Sequence, residues 1–320
     1  MDQQHASPQY IYTYSHRQDE HSLCYLEMRS FFGKETDQFI LKSDVAVMPS
    51  RSPFIKERIE ILYEGDTLEE IYAQAEQINM LEATFKVIFV KINDLDSDHK
   101  IEYQERLGIE REIGMRIHGE ADVKNPQHTF GIVPFGGRWY LGHYFKNEAV
   151  WFHNMRKPQN YSIALNTRLA RAAANILVPN PVGIQAIDPC CGIGTVLVEA
   201  LSMDINIVGR DINPHIAQGA RANIKHFGLK GEVTLGDIAD ISEHYDAAIV
   251  DMPYNLFSTT TPEEQLSILK HARRIADKVV VITIENIDEM IAEAGFSITD
   301  RGEAKKGAKG VFSRQVLVCH

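Results

Sequence analysis

Residues 183–195 read GIQAIDPCCGIGT, an apolar run that ends in Asp188 and passes through Pro189, Cys190, Cys191, Gly192, Ile193 and Gly194 to Thr195. This pattern predicts a strand closing at Asp188, a tight loop containing Cys190 and both glycines, and a helix opening at about Thr195. Glycines there let the backbone approach a ligand closely at the carboxyl end of a strand, where α/β sheets bind nucleotides. Downstream, runs rich in Val and Ile recur at 182–187, 205–209, 231–235, 247–250 and 278–283. Between them, apolar spacing near 3.6 marks helices over 165–176, 196–202, 215–227 and 263–275. Strand and helix alternate, so a doubly wound, Rossmann-like α/β domain is expected from residue 158 to residue 320.

The end departs from that alternation. Residues 296–304 and 311–319 read as two strands joined by the turn-rich 305–310 with no helix between them, which predicts an antiparallel pair. Upstream of 158 the pattern is α+β. Strands are expected at 10–14, 45–48, 85–92, 129–133 and 137–144, and helices at 19–32, 53–60 and 102–118.

Further acids follow the strands. Asp211, with Ile212 beside it, closes the second strand in IVGRDINP, 23 residues after Asp188, where a carboxylate accepts both ribose hydroxyls of an adenosine. Asp237 follows the third strand in EVTLGDIAD, placed to take an adenine amino group while Ile238 packs near the ring. Any one of these acids alone would pass for a helix N-cap. A dinucleotide ligand is disfavoured, because Leu197 stands where the third glycine of GxGxxG would be. S-adenosylmethionine has no pyrophosphate to seat there, and it is the cofactor expected.

After the fourth strand comes AAIVDMPYNL, residues 247–256. A base amino group is a poor nucleophile because its lone pair is delocalised into the ring. Acceptors for its two N–H groups would favour a pyramidal nitrogen aimed at a sulfonium methyl. Asp251 and the Met252 carbonyl are the expected acceptors, with Pro253 shaping the turn and Tyr254 stacking on the base. No strong base is needed, since the nitrogen loses its proton after becoming cationic. The alternative is a plain D-x-P-Y turn after a buried strand.

Composition bounds the class. The net charge of −11 argues against indiscriminate nucleic-acid binding, and residues 1–160 carry 18 Lys and Arg against 25 Asp and Glu. Positive charge must then be local: Arg301, Lys305, Lys306, Lys309 and Arg314 on the final hairpin are the expected RNA contacts. On the 102–118 helix, Arg106, Arg111 and Arg116 alternate with acids and read as a solvated face. The four cysteines show no metal spacing and are expected to be reduced, no metal is expected, and a cytoplasmic, membrane-free protein is anticipated.

DPCCGIGT at 188–195 resembles the D-P-F-C-G-S-G-T of the THUMP-containing RNA guanine-N2 methyltransferases, and DMPY at 251–254 is similar to their D-P-P-Y. LNTRLARAAANIL at 165–177 is similar to their P-x-L-A-R-A-x-x-N-L. IGMRIHGEADVKNPQHTFGI at 113–132 looks like the end of a THUMP domain. Most of 80–320 is covered, Met252 being the departure. The resemblance implies a class I methyltransferase domain over 158–320 with an antiparallel last strand. It also implies a THUMP-like RNA-binding domain over 63–150 and a ferredoxin-like region over 1–62. The activity implied is methyl transfer to the N2 of guanine in RNA, tRNA first, as part of tRNA processing. The alternatives are an adenine-N6 or guanine-N2 enzyme acting on rRNA or DNA, and a non-catalytic S-adenosylmethionine- or RNA-binding protein. A small activating subunit and a homodimer both remain open.

Overall fold

A computed structural model describes residues 7–35, 38–92, 101–160, 164–253, 260–306 and 312–320. It forms two compact units. One comprises 1–15, 35–50 and 54–148, and the other 16–34, 51–53 and 149–320.

The first unit is a mixed sheet in the order β2-β1-β3-β7-β6-β4-β5, with β1 Tyr10–Tyr14, β2 Ile40–Ser43, β3 Ile55–Gly65, β4 Asn79–Phe89, β5 His118–Ala121, β6 His128–Phe135 and β7 Arg138–Lys146. Alternation along β6 sends Phe130 and Ile132 into a core with Ile71, Phe85, Ile109 and Ile113. Val133 joins Ile11, Ile40 and Ile59 in another. Ile71 comes from α2 (Leu68–Ala75), and Ile109 and Ile113 from α3 (Tyr103–Gly114). Two expectations fail here. Residues 53–60 are not helical but open β3, because the four-residue spacing of Ile55 and Ile59 fits two strand periods as well as one helical turn. Residues 45–48 form no strand, and β2 pairs with β1 in their place.

The second unit is a sheet in the order β10-β9-β8-β11-β12-β14-β13. Its strands are β8 Ala186–Asp188, β9 Ile207–Asp211, β10 Val233–Leu235, β11 Tyr245–Asp251, β12 Ala276–Thr283, β13 Ile298–Lys306 and β14 Phe312–Cys319. The first five strands in that order are parallel. β14 runs antiparallel to both β12 and β13, as the hairpin argument expects. This reversed last strand is the arrangement of a class I methyltransferase sheet. Among the helices, α4 (Trp151–Asn154), α5 (Thr167–Leu177), α6 (Thr195–Leu201), α7 (Pro214–His226) and α8 (Pro262–Ile275) precede α9 (Asp288–Glu293), too short to announce itself by periodicity. Among the described residues, no helix is long and apolar enough to cross a membrane.

An early segment belongs to this unit. Helix α1 (His21–Phe32) packs along β13 and α5, so close that a Cβ on Gly302 would lie 3.0 Å from the Leu26 side chain. Buried polar groups hold it there. Asn175 Nδ2 donates to Glu27 Oε1 at 2.7 Å, Ser52 Oγ donates to the other Glu27 oxygen, and Arg171 Nε donates to the Arg51 carbonyl at 2.9 Å. Arg171 also forms a fully buried ion pair with Glu199 of α6 at 2.7 Å. Burial pushes the Glu27 carboxyl up to about 7, against the pull of Ser52, Asn175, Arg171 and Arg51.

Candidate active site

Four of the five parallel strands deliver an acid at or just past the carboxyl end. Asp188 ends β8, Asp211 ends β9 and Asp251 ends β11, while Asp237 stands two residues past β10. A cleft of about 460 Å³ opens among them, lined on the strand side by Cys190, Asp211, Ile212, Asp237, Ile238 and Asp251. Glu264, Ser267 and Ile268 of α8 form the facing wall, with Pro253 at the rim. The α8 residues escape sequence reasoning because on a solvated helix they read as ordinary surface positions.

The loop geometry follows from its residues. Gly194 caps α6 at φ +75°, a left-handed conformation, and a Cβ there would stand 3.2 Å from the Ala220 Cβ. Gly192 donates its N–H to Asp211 Oδ2 at 2.9 Å, and Asn213 N–H donates to Asp211 Oδ1 at 2.8 Å. The second strand's acid therefore anchors the first strand's loop, and each of its oxygens keeps a lone pair for a diol. Leu197 is fully buried against β9, and a Cβ on Gly209 would overlap its Cδ1. The glycine that permits close helix–strand packing has thus moved from the helix to the strand. Thr195 is buried at the start of α6, its hydroxyl without a hydrogen-bond partner among the described residues.

The acids have different settings. Asp188 is buried and accepts from the Cys190 N–H at 3.3 Å. Burial first, then repulsion from Asp251 and Asp211, holds its carboxyl well above the usual range. Asp237 accepts from Ala239 N–H at 2.8 Å and caps a short 3-10 turn at 238–240, so its capping role and its place in the cleft coexist. Burial pushes Asp251 up to about 7, opposed by Arg314, and its Oδ1 has no hydrogen-bond partner among the described residues. The Cys190 thiol is raised by burial and then by Asp188, Asp211, Asp237 and Asp251, so one atom lies within electrostatic reach of all four carboxylates. Of the four acids expected to converge, Asp211, Asp237 and Asp251 line the cleft, and Asp188 is buried outside its lining.

Around Asp251 the chain is fixed. Met252 is 2% exposed and its N–H donates to the Ile282 carbonyl at 2.9 Å, extending the β11–β12 ladder by one residue. Tyr254 lies outside the described residues. On the final hairpin, Arg301 is exposed and pairs with Asp288 at 2.8 Å, and Lys305 is exposed near Glu303. The Lys306 side chain and Lys309 lie outside the described residues. Arg314 departs from the expected basic face: it is 7% exposed and its charge falls on Asp251. Sequence reading grouped it with its neighbours by sign alone, whereas strand alternation turns it inward.

Residues 154–292 match the family model of the UPF0020, RMKL-like methyltransferase domain. The chain is 29% identical over 167 residues to a tRNA (guanine(10)-N2)-dimethyltransferase of Methanothermobacter thermautotrophicus, covering 49% of each chain. It is 33% identical over 123 residues to the enzyme of the same name from Pyrococcus abyssi, covering 37% of this chain and 36% of that one. The matched stretch spans half or less of the length of these curated relatives. Among solved structures, TrmN from Thermus thermophilus aligns with 98% of this chain and 99% of its own at 17% identity, with a TM-score of 0.47. The family match is confined to residues 154–292, the part of the chain that carries the acid-lined cleft.

Proposed function

We propose that the chain binds S-adenosylmethionine in the acid-lined cleft and transfers its methyl group to the exocyclic amino nitrogen of a guanine in RNA, with tRNA as substrate. The observation that carries this reading is the Asp251 Oδ1: a buried acceptor with no described partner, at the edge of a cleft shared with Asp211 and Asp237. A buried acceptor left unmatched costs about 1–3 kcal/mol, which an incoming N–H would recover.

The residues present fit the cofactor. The acids within electrostatic reach of Cys190 suit a cationic sulfonium better than a pyrophosphate. Asp211 would hold the ribose diol and Asp237 the adenine amino group, with Ile212 and Ile238 against the ring. Asp188, Cys190, Gly192, Gly194 and Thr195 would shape the floor. The bound cofactor supplies an electrophilic methyl group. Asp251 accepts one amino N–H and the Met252 carbonyl the other, holding the nitrogen with its lone pair toward that methyl, and Tyr254 stacks on the base. Asp251 must be ionised to act so, and Arg314 favours that form.

The relatives named tRNA (guanine(10)-N2)-dimethyltransferase support guanine and tRNA as the first choices. We assign RNA capture to a THUMP-like region over 63–150, preceded by a ferredoxin-like region over 1–62, and Arg301 and Lys305 are the candidate RNA contacts of the hairpin. A cytoplasmic site of action follows from this substrate. Transfer of labelled methyl groups to total tRNA, rRNA and DNA, followed by nucleoside mass spectrometry, tests the proposal. N2-methylguanosine in tRNA, lost in Asp251→Ala with cofactor binding kept, is the expected result. Label confined to adenine or to DNA would replace the substrate, and no transfer to any of the three would overturn the reaction.

A further inference from the structure

Gln265 occupies a position that the helix pattern reserves for an apolar side chain. Along α8 the buried residues are Gln265, Leu269, Ala272 and Ile275, an inward stripe at helical spacing. Only the first is polar, and it is 4% exposed. An amide at such a place is costly unless its hydrogen bonds are made. Its Nε2 donates to the Pro253 carbonyl at 2.7 Å.

The donor is itself held rigidly. Thr261 and Glu264 form a reciprocal capping box at the start of α8, with Pro262 in the first turn, and the Gln265 N–H donates to the Thr261 carbonyl at 3.0 Å. The acceptor is the residue two places after Asp251. A proline ring locks φ, and a hydrogen bond to the carbonyl fixes the adjoining peptide plane, so both soft dihedrals of residue 253 are set. With Met252 N–H bound to Ile282, the chain after Asp251 is pinned at two consecutive residues, from β12 on one side and α8 on the other. Helix α8 also supplies Glu264, Ser267 and Ile268 to the cleft wall, so the tether joins the acceptor corner to the surface opposite it.

We infer that Gln265 is a positioning residue for methyl transfer, holding the Asp251–Met252–Pro253 corner in the geometry that presents acceptors to the target amino group. It touches neither cofactor nor base; it acts through the Pro253 carbonyl. This rests on the methyl-transfer reading of the cleft.

The test compares Gln265→Met, which keeps length and removes the donor, with Gln265→Glu, which keeps shape and turns an acceptor toward a carbonyl oxygen. In the full chain with saturating cofactor and tRNA, Gln265→Met lowers kcat by about 10- to 100-fold, the scale on which small misplacements act. Gln265→Glu lowers it further at pH 8. Affinity for S-adenosylhomocysteine by calorimetry and KM for tRNA stay within about threefold, a split that a general loss of structure would not give. In an Asp251→Asn background the effect of Gln265→Met shrinks, since both changes act on one corner. If Gln265→Met fails to fold, the isosteric Gln265→Glu supplies the same readout. Unchanged kcat in the folded variants, or equal losses in kcat and cofactor affinity, would overturn the tether while leaving the methyl-transfer reading intact. A wild-type chain that methylates no nucleic acid would sink both.

Discussion

Removing the Arg314 charge should move the pH dependence of transfer in a defined direction. The pairing register sets Asp251 beside Ile282 and Ile282 beside Val316, so all three share one face of the sheet, and Arg314 lies two residues beyond Val316 on that face. Two strand spacings across and two residues along put the Cα atoms roughly 12 Å apart, and the length of an arginine side chain allows its guanidinium to stand nearer. For charges on the order of 6 Å apart at an effective dielectric of about 20, the attraction is about 3 kcal/mol, or roughly two pKa units. Asp188 lies within electrostatic reach of Asp251 and Glu264 shares the cleft from α8, while among the described residues Arg314 is the cation that lowers Asp251. Asp251 stands at about 7 with Arg314 present. The acidic limb of kcat/KM, which reports the free enzyme, should therefore fall near pH 7 in the wild type and rise by one to two units in Arg314→Met. The variant would lose about tenfold or more at pH 7 and recover most of its activity near pH 9, while Arg314→Lys keeps the wild-type limb. An activity loss in Arg314→Met that is equal at every pH from 6 to 9 would refute the electrostatic reasoning.

Three further outcomes follow from the same geometry. The raised folded-state value of Asp251 means that folding favours its protonated form. Stability is fully present below about pH 4 and is lost as pH rises toward 7; Asp251→Asn should thus stabilise the chain in urea at pH 8 by on the order of 2 kcal/mol and little at pH 4. Asp211→Ala removes both the proposed diol acceptor and the anchor of the Gly192 N–H, so calorimetry should show cofactor affinity down by at least ~30-fold. Asn223, fully buried, accepts from Gln159 N–H at 2.9 Å and donates to the Gln159 and Ile193 carbonyls at 3.0 and 2.9 Å. Asn223→Ala should cost about 2–4 kcal/mol in chemical unfolding and weaken cofactor binding through the loosened glycine loop; unchanged binding would show that the loop holds without it.

The second unit was readable because its signals are local. A parallel strand buried on both faces announces itself as a Val- and Ile-rich run, and an acid after such a run lies at the sheet's carboxyl edge whatever the rest of the chain does. That logic brings Asp211, Asp237 and Asp251 to one cleft from sequence alone, with Asp188 buried beside Cys190. It breaks down where partners are distant in sequence. The grouping of α1 with the second unit depends on Glu27 meeting Ser52 and Asn175, pairings between segments whose periodicity says nothing of each other. Arg314 failed as a surface residue for the same reason: the side of β14 on which it lies is fixed by the register with β12, a non-local fact. In the first unit, Ile55 and Ile59 satisfy both periods, and only pairing with β1 and β7 decides for a strand.

Met252 then takes on a definite meaning. A proline at 252 would fix the backbone covalently but has no N–H, whereas Met252 donates one to Ile282 and buries its side chain almost completely. The rigidity expected of two consecutive prolines is therefore redistributed: a ladder hydrogen bond and apolar packing at 252, a ring and the Gln265 tether at 253. Such an arrangement is more sensitive to its surroundings, because β12 or α8 must be in place for the corner to hold its shape. Substitutions that loosen the first turn of α8 should accordingly reach the acceptor corner without touching the strand-borne acids of the cleft. Thr261→Ala, which removes the capping hydroxyl at a cost of about 1 kcal/mol, ought to lower kcat while leaving cofactor affinity alone; a fall in affinity with kcat preserved would show that the corner does not lean on α8 at all.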